Sequence, residues 1–271
     1  MVGLLAFISS CSSESGPVQW RGPDRTGIYE DTGLLKEWPK NGPKQILKLS
    51  ALGKGHSSPV VYKNKIYITG RIDSLEYLSC FDQEGTRLWQ KKFGKAWYKS
   101  FPETRCTPTI EKGLAFLVSG SGEVACHSTK TGEQVWFVDA DSLFHGNIWQ
   151  YGVSESPVIT EDAVIYTTGG DSCSLIALEK KTGELLWQSK SLGGARGYAS
   201  PTLVIHNDVP LIIAQTARDV LGIDARSGDL LWSHNLIDFH LNSMGKGNNI
   251  NTPIYQDGRF FISSGYDHPG I

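Results

Sequence analysis

Short apolar runs recur along the chain from Val60 onward, separated each time by the same polar punctuation. Between Ser156 and Ser189 the pattern predicts four strands. Ser156 to Thr160 opens the set, with Pro157 at the start, where a strand tolerates proline. Ala163 to Thr168, Ser174 to Leu178 and Leu185 to Ser189 follow, rich in apolar and β-branched residues. Turns are expected at Glu161-Asp162, Gly169-Gly170-Asp171 and Lys181-Thr182-Gly183-Glu184. The same pattern places strands at Thr109-Ile110, Leu114 to Val118, Val124 to His127 and Gln134 to Val138. It places another set at Thr202 to Ile205, Leu211 to Gln215, Val220 to Ile223 and Leu230 to Ser233.

These sets are copies of one unit. Each opens with a small hydroxyl residue and proline: Ser58-Pro59, Thr107-Pro108, Ser156-Pro157, Ser200-Pro201 and Thr252-Pro253. The first four close with a turn glycine four residues before a tryptophan: Gly85 and Trp89, Gly132 and Trp136, Gly183 and Trp187, Gly228 and Trp232. A strand-filled period in the forties marks a propeller blade. The fold expected is an all-β propeller of four-stranded blades. Trp89, Trp136, Trp187 and Trp232 are expected to dock between neighbouring blades near the turn glycines, each ring hiding on the order of 200 Å² from water.

Two copies carry a more specific signature, Ala177-x-Glu179-x-x-Thr182-Gly183-x-x-x-Trp187 and Gly222-x-Asp224-x-x-Ser227-Gly228-x-x-x-Trp232. These segments resemble the tryptophan-docking repeat of the pyrroloquinoline-quinone-like β-propellers. The resemblance covers roughly residues 45–271. It implies a ring of about eight blades, and a family that includes both quinone dehydrogenases and outer-membrane assembly lipoproteins. Trp20-Arg21-Gly22-Pro23-x-Arg25-x-Gly27 resembles a lead-in that precedes such propellers in exported bacterial proteins. Gln45 to Leu49 reads as an isolated outer strand, with Leu47 in the tryptophan slot. The fifth copy supplies only Pro253 to Tyr255 and Arg259 to Ser263. The expectation is therefore an incomplete arc of about four full blades with partial strands at both ends, truncated on its C-terminal side.

The apolar run Val2 to Ile8 is too short to span a bilayer. It leads into Ile8-Ser9-Ser10-Cys11, which resembles a bacterial lipobox with Cys11 as the lipidated residue. This divides the chain into a lipoprotein signal and tether at 1–16, a lead-in segment at 17–44 and the propeller at 45–271. A cell-envelope location follows, facing the periplasm or the exterior, with membrane attachment through the lipid alone.

Charge excludes one class of partner. The net charge of −2 gives no basic footprint for nucleic acid. Of the five cysteines, none forms a Cys-x-x-Cys pair, and the histidines lack ligand spacing, so no metal site is expected. Cys80, Cys106, Cys126 and Cys173 read as free thiols, Cys126 sharing its slot with Ala177 and Gly222.

Candidate binding residues lie in the long aromatic inter-blade loops and just before each inner strand. They are His56, Arg105, Trp149, Glu155, Arg196, Tyr198, Asn249 and Asn251, with no catalytic residue assigned. The fourth loop adds Phe239, His240, Met244 and Lys246. Arginine and aromatics are enriched at contacts. The leading expectation is a non-catalytic envelope module for protein or peptide partners, without a cofactor. The resemblance also implies a quinone- and Ca²⁺-dependent dehydrogenase of alcohols or sugars, for which Glu155 and Asn251 would supply oxygen ligands. The Trp and Tyr loops suggest a third reading, a carbohydrate-binding propeller.

Overall fold

The computed structural model describes residues 16–236 and 248–263. Four antiparallel sheets of four strands follow one another along the chain. Blade 1 holds β1 (Val60–Tyr62), β2 (Lys65–Ile72), β3 (Leu75–Phe81) and β4 (Arg87–Lys95). Blade 2 holds β5 (Thr109–Glu111), β6 (Leu114–Val118), β7 (Glu123–Ser128) and β8 (Gln134–Asp139). A single helical turn, α1 (Ala140–Leu143), leads to blade 3: β9 (Val158–Ile159), β10 (Ala163–Thr167), β11 (Leu175–Glu179) and β12 (Leu185–Gln188). Blade 4 holds β13 (Thr202–His206), β14 (Val209–Gln215), β15 (Asp219–Asp224) and β16 (Leu230–Asn235). A hairpin, β17 (Ile254–Gln256) and β18 (Arg259–Phe261), starts a fifth unit. The described strands form an arc of a β-propeller and no closed ring.

The core is laid down in slabs between successive blades, because strand residues alternate faces. Val164, Tyr166, Ile176 and Leu178 of blade 3 pack with Phe116, Val118 and Cys126 of blade 2. Their neighbours Ile165, Leu175 and Ala177 face the other way, onto Ile212, Ala214, Leu221 and Ile223 of blade 4.

The tryptophan slot repeats with its surroundings. Trp89, Trp136, Trp187 and Trp232 stand opposite Cys80, Cys126, Ala177 and Gly222. The pairing register slips immediately beyond each of these pairs, between Cys80 and Phe81, Cys126 and His127, Ala177 and Leu178, and Gly222 and Ile223. A bulge leaves one residue unpaired and bends the strand. The residues skipped are Leu88, Val135, Leu186 and Leu231, each about half exposed. Trp89, Trp136 and Trp187 lie on the turn glycine of the following blade, Gly132, Gly183 and Gly228. Those glycines have φ between 76° and 79°, and a Cβ on any of them would sit 2.6–2.8 Å from the indole. Both facts require glycine.

Gln45 to Leu49 is a correction to the sequence reading. It forms no strand, since no described strand lies beside it to complete a ladder. Leu47 nonetheless takes the tryptophan's place: its Cδ1 would meet a Cβ on Gly85 at 2.9 Å. All four described cysteines are buried and unpaired. Cys11 and the 239–246 loop residues lie outside the described residues.

Candidate functional site

The Ser/Thr-Pro repeat has a physical reason. Inner strands converge at the propeller axis, where an N–H before a proline has no strand partner. In the first three blades that amide instead donates to the hydroxyl in the same slot of the next blade, whereas the hydroxyl of Thr252 in the fifth slot has no partner among the described residues. Ser58 N donates to Thr107 Oγ1 at 3.0 Å, Thr107 N to Ser156 Oγ at 3.0 Å, and Ser156 N to Ser200 Oγ at 2.9 Å. The hydroxyls form an arc around the axis.

The lead-in segment fills the space inside that arc. Val18 pairs with Ile110 of β5 through two 2.8 Å backbone bonds. Gln19 to Gly27 folds into a compact knot, with bonds from Gly22 N to Gln19 O, Arg25 N to Gly22 O and Gly27 N to Arg21 O. Arg25, only 4% exposed, donates to Pro201 O at 2.9 Å, Ser156 O at 3.0 Å and Pro157 O at 2.7 Å. It thereby ties blade 3 to blade 4. Burial lowers its pKa to about 10, opposed by nearby Glu155. Sequence reasoning missed this role, and only the quoted lead-in motif pointed to the segment.

A cavity of about 490 Å³ opens against this plug. Trp20, His56, Arg105, Tyr151, Ser154 and Tyr198 line it together with the hydroxyl arc of Thr107, Ser156 and Ser200. Phe101, Asn248 and Ile250 complete the wall. Phe101, Tyr151 and Tyr198 form a ladder of rings, with centroids 5.6 and 5.7 Å apart. Arg105 Nη2 donates to Tyr151 O at 2.5 Å, while its buried Nε has no partner among the described residues. Beside it the buried Glu76 accepts from Gly120 N at 3.1 Å. Burial raises the Glu76 pKa to about 8, opposed by the hydrogen bond from Gly120, by Thr104 and by the charge of Arg105.

Of the eight candidate binding residues, His56, Arg105 and Tyr198 line the cavity. The others are placed elsewhere. Arg196 is 1% exposed and clamps α1: its Nη2 donates to both oxygens of Asp141 at 2.5 and 2.6 Å and to Thr168 O, and its Nη1 to Tyr166 Oη. Glu155 is buried and accepts from Thr167 N at 3.1 Å; burial raises its pKa to about 8. Asn249 donates to Thr216 O at 2.7 Å, and its carbonyl takes the N–H of Tyr198. Asn251 is exposed and donates to Ser263 Oγ at 2.9 Å. Trp149 is half-buried. Glu155 and Asn251 are thus not brought together, and among the described residues no group of three His, Cys, Asp or Glu side chains converges. Among the described residues, Glu155 and Asn251 therefore form no shared oxygen-ligand site.

The chain has relatives of two kinds. It is 26% identical over 198 residues to methanol dehydrogenase (cytochrome c) subunit 1 of Methylorubrum extorquens, covering 64% of this chain and 30% of that protein. It is 26% identical over 163 residues to outer membrane protein assembly factor BamB of Shewanella oneidensis, covering 59% of this chain and 39% of the relative. It thus spans well under half the length of either. The crystal structure of BamB from Moraxella catarrhalis matches 78% of this chain and 55% of its own, with a TM-score of 0.50 at 18% identity. Quinohemoprotein alcohol dehydrogenase from Comamonas testosteroni matches 79% and 40%, with a TM-score of 0.55 at 13% identity. At those identities the structures show the shared fold alone. The family model described as outer membrane protein assembly factor BamB matches residues 74–268, most of the chain, and this propeller of pyrroloquinoline-quinone-like repeats belongs to that family.

Proposed function

We propose that the chain is a non-catalytic binding module of the bacterial cell envelope, holding protein or peptide partners on its aromatic face. The observation that carries this reading is the aromatic rim of the cavity: Phe101, 66% exposed, meets the ring of Tyr151, which in turn meets Tyr198. Exposed clustered aromatics beside an arginine are the composition of a contact surface. Family membership supports the same class of role. In this reading residues 1–16 are a signal and tether lipidated at Cys11, residues 17–44 the lead-in and 45–271 the propeller. Among the described residues no helix is long and apolar enough to cross a membrane, which is compatible with attachment through lipid.

A photo-crosslinking residue at Phe101, introduced in the native organism, tests the proposal. Crosslinks to envelope proteins that vanish when the probe is moved to exposed Ile205 on β13 support it; equal labelling from both positions overturns it. The similarity to methanol dehydrogenase favours a second reading, in which pyrroloquinoline quinone with Ca²⁺ supplies redox chemistry. Titration with both, followed by tryptophan quenching and dye reduction with alcohols, separates the two.

A further inference from the structure

The hydroxyl arc has a second half. A hydroxyl carries one donor proton and two acceptor lone pairs. Thr107, Ser156 and Ser200 each use an acceptor position on the preceding blade's amide. None of the three donates to an acceptor among the described residues, and all three line the cavity. Three O–H donors are therefore available to whatever enters.

Arg105 adds a charge. Its one hydrogen bond goes to a neutral carbonyl, its Nε is buried without a partner, and no carboxylate among the described residues pairs with it. The walls are flat: Trp20 on the plug side, Tyr151 and Tyr198 on the rim.

These features together select a ligand. A simple aromatic acid would satisfy Arg105 and the walls but strand the three hydroxyl donors. A neutral sugar would satisfy the donors and stack its C–H face on the rings, but leave Arg105 without an anion. A buried donor left unmade is costly, so a fitting ligand satisfies both. A ring rich in acceptor oxygens that also carries a carboxylate does so, and the cavity volume is of small-ligand size.

We propose that the cavity is a binding site for a saccharide ring bearing a carboxylate, held by Arg105, the Thr107–Ser156–Ser200 hydroxyls and the face of Trp20. The ligand is a free sugar acid or the terminal residue of an acidic glycan. The site shares the cavity whose aromatic rim supports the protein-partner reading, but its ligand chemistry does not depend on that reading.

Calorimetric titration of the full chain with D-glucuronate, D-glucose, benzoate and a short oligo-uronate tests the proposal. Glucuronate is expected to bind at least about tenfold more tightly than glucose or benzoate. Arg105→Gln is expected to erase the preference for glucuronate over glucose, and Trp20→Ala to weaken both sugars alike. Near-ultraviolet circular dichroism checks that the variants are folded; should either fail to fold, the wild-type ligand series alone decides. Tighter binding of the oligomer identifies a glycan terminus, and equal affinity identifies a free sugar acid; both support the site. Benzoate binding as tightly as glucuronate, or no saturable glucuronate binding, overturns it.

Discussion

Tyr67 Oη donates to the main-chain carbonyl of Thr129 at 3.1 Å, occupying the acceptor that serves the docking tryptophan in later blades. Trp136 Nε1 donates to Lys180 O at 2.8 Å and Trp187 Nε1 to Ala225 O at 3.2 Å. Trp89 stands 5.9 Å from the Tyr67 ring, and its Nε1 is buried without a partner. The first docking slot thus differs from its copies by one tyrosine.

That difference predicts unequal costs for one substitution. Trp136→Phe removes a hydrogen bond and leaves the Lys180 carbonyl unsatisfied; Trp89→Phe removes none. Urea unfolding should show Trp136→Phe as the more destabilising, by about 1–3 kcal/mol. Equal losses would mean that the indole N–H contributes nothing at either slot.

The hydroxyl arc predicts a tolerance rule. Ser156→Ala strands the Thr107 amide, at about 1–3 kcal/mol, and should speed hydrogen exchange at that amide. Ser156→Thr keeps the acceptor, as Thr107 does in its own slot, and should leave exchange near the wild-type rate.

The plug rests on Arg25. Arg25→Lys cannot span three carbonyls on two blades, so Val18 and Ile110 should lose protection in hydrogen exchange and trypsin should cleave faster after Arg21. Unchanged protection would show that Val18 holds the segment alone.

Stability should fall with rising pH. Glu76 and Glu155 hold their protons up to about pH 8 in the folded chain but release them near pH 4 when unfolded. Their contribution is fully present below the unfolded value and is lost progressively as pH rises to about 8. Glu155→Gln retains an oxygen for Thr167 N and cannot ionise. Its melting temperature should exceed wild type at pH 8 and depend less on pH between 5 and 8.

What the sequence showed depended on distance along the chain. Blades were readable because their strands, turn glycines and tryptophans are near neighbours repeated four times, so each copy checks the others. Leu47 was placed in the correct slot, but the strand around it was not, because a strand exists only beside a partner. The Ser/Thr-Pro slot was visible as a pattern, while its reason, a bond to the next blade, was not. Arg196 and Asn249 sit in loops at the channel mouth and so matched the expectation for ligand contacts; in the fold Arg196 binds Asp141 through Nη2 and Asn249 donates to Thr216 O. Arg25 was least legible, since its partners lie 131 to 176 residues away.

Those separations set an order of assembly. The guanidinium that clasps blades 3 and 4 is synthesised before either blade exists, and closing so long a loop is slow. Blades can form locally and stack as they emerge, whereas the knot at Gln19 to Gly27 must wait uncommitted until Pro201 has been made. A segment made ahead of all four blades is thus among the last to reach its native place. Until then the axial carbonyls of Ser156 and Pro201 lack the guanidinium, Pro157 keeps only its bond from Thr109, and an interrupted chain ending before blade 4 would have no complete clasp to close.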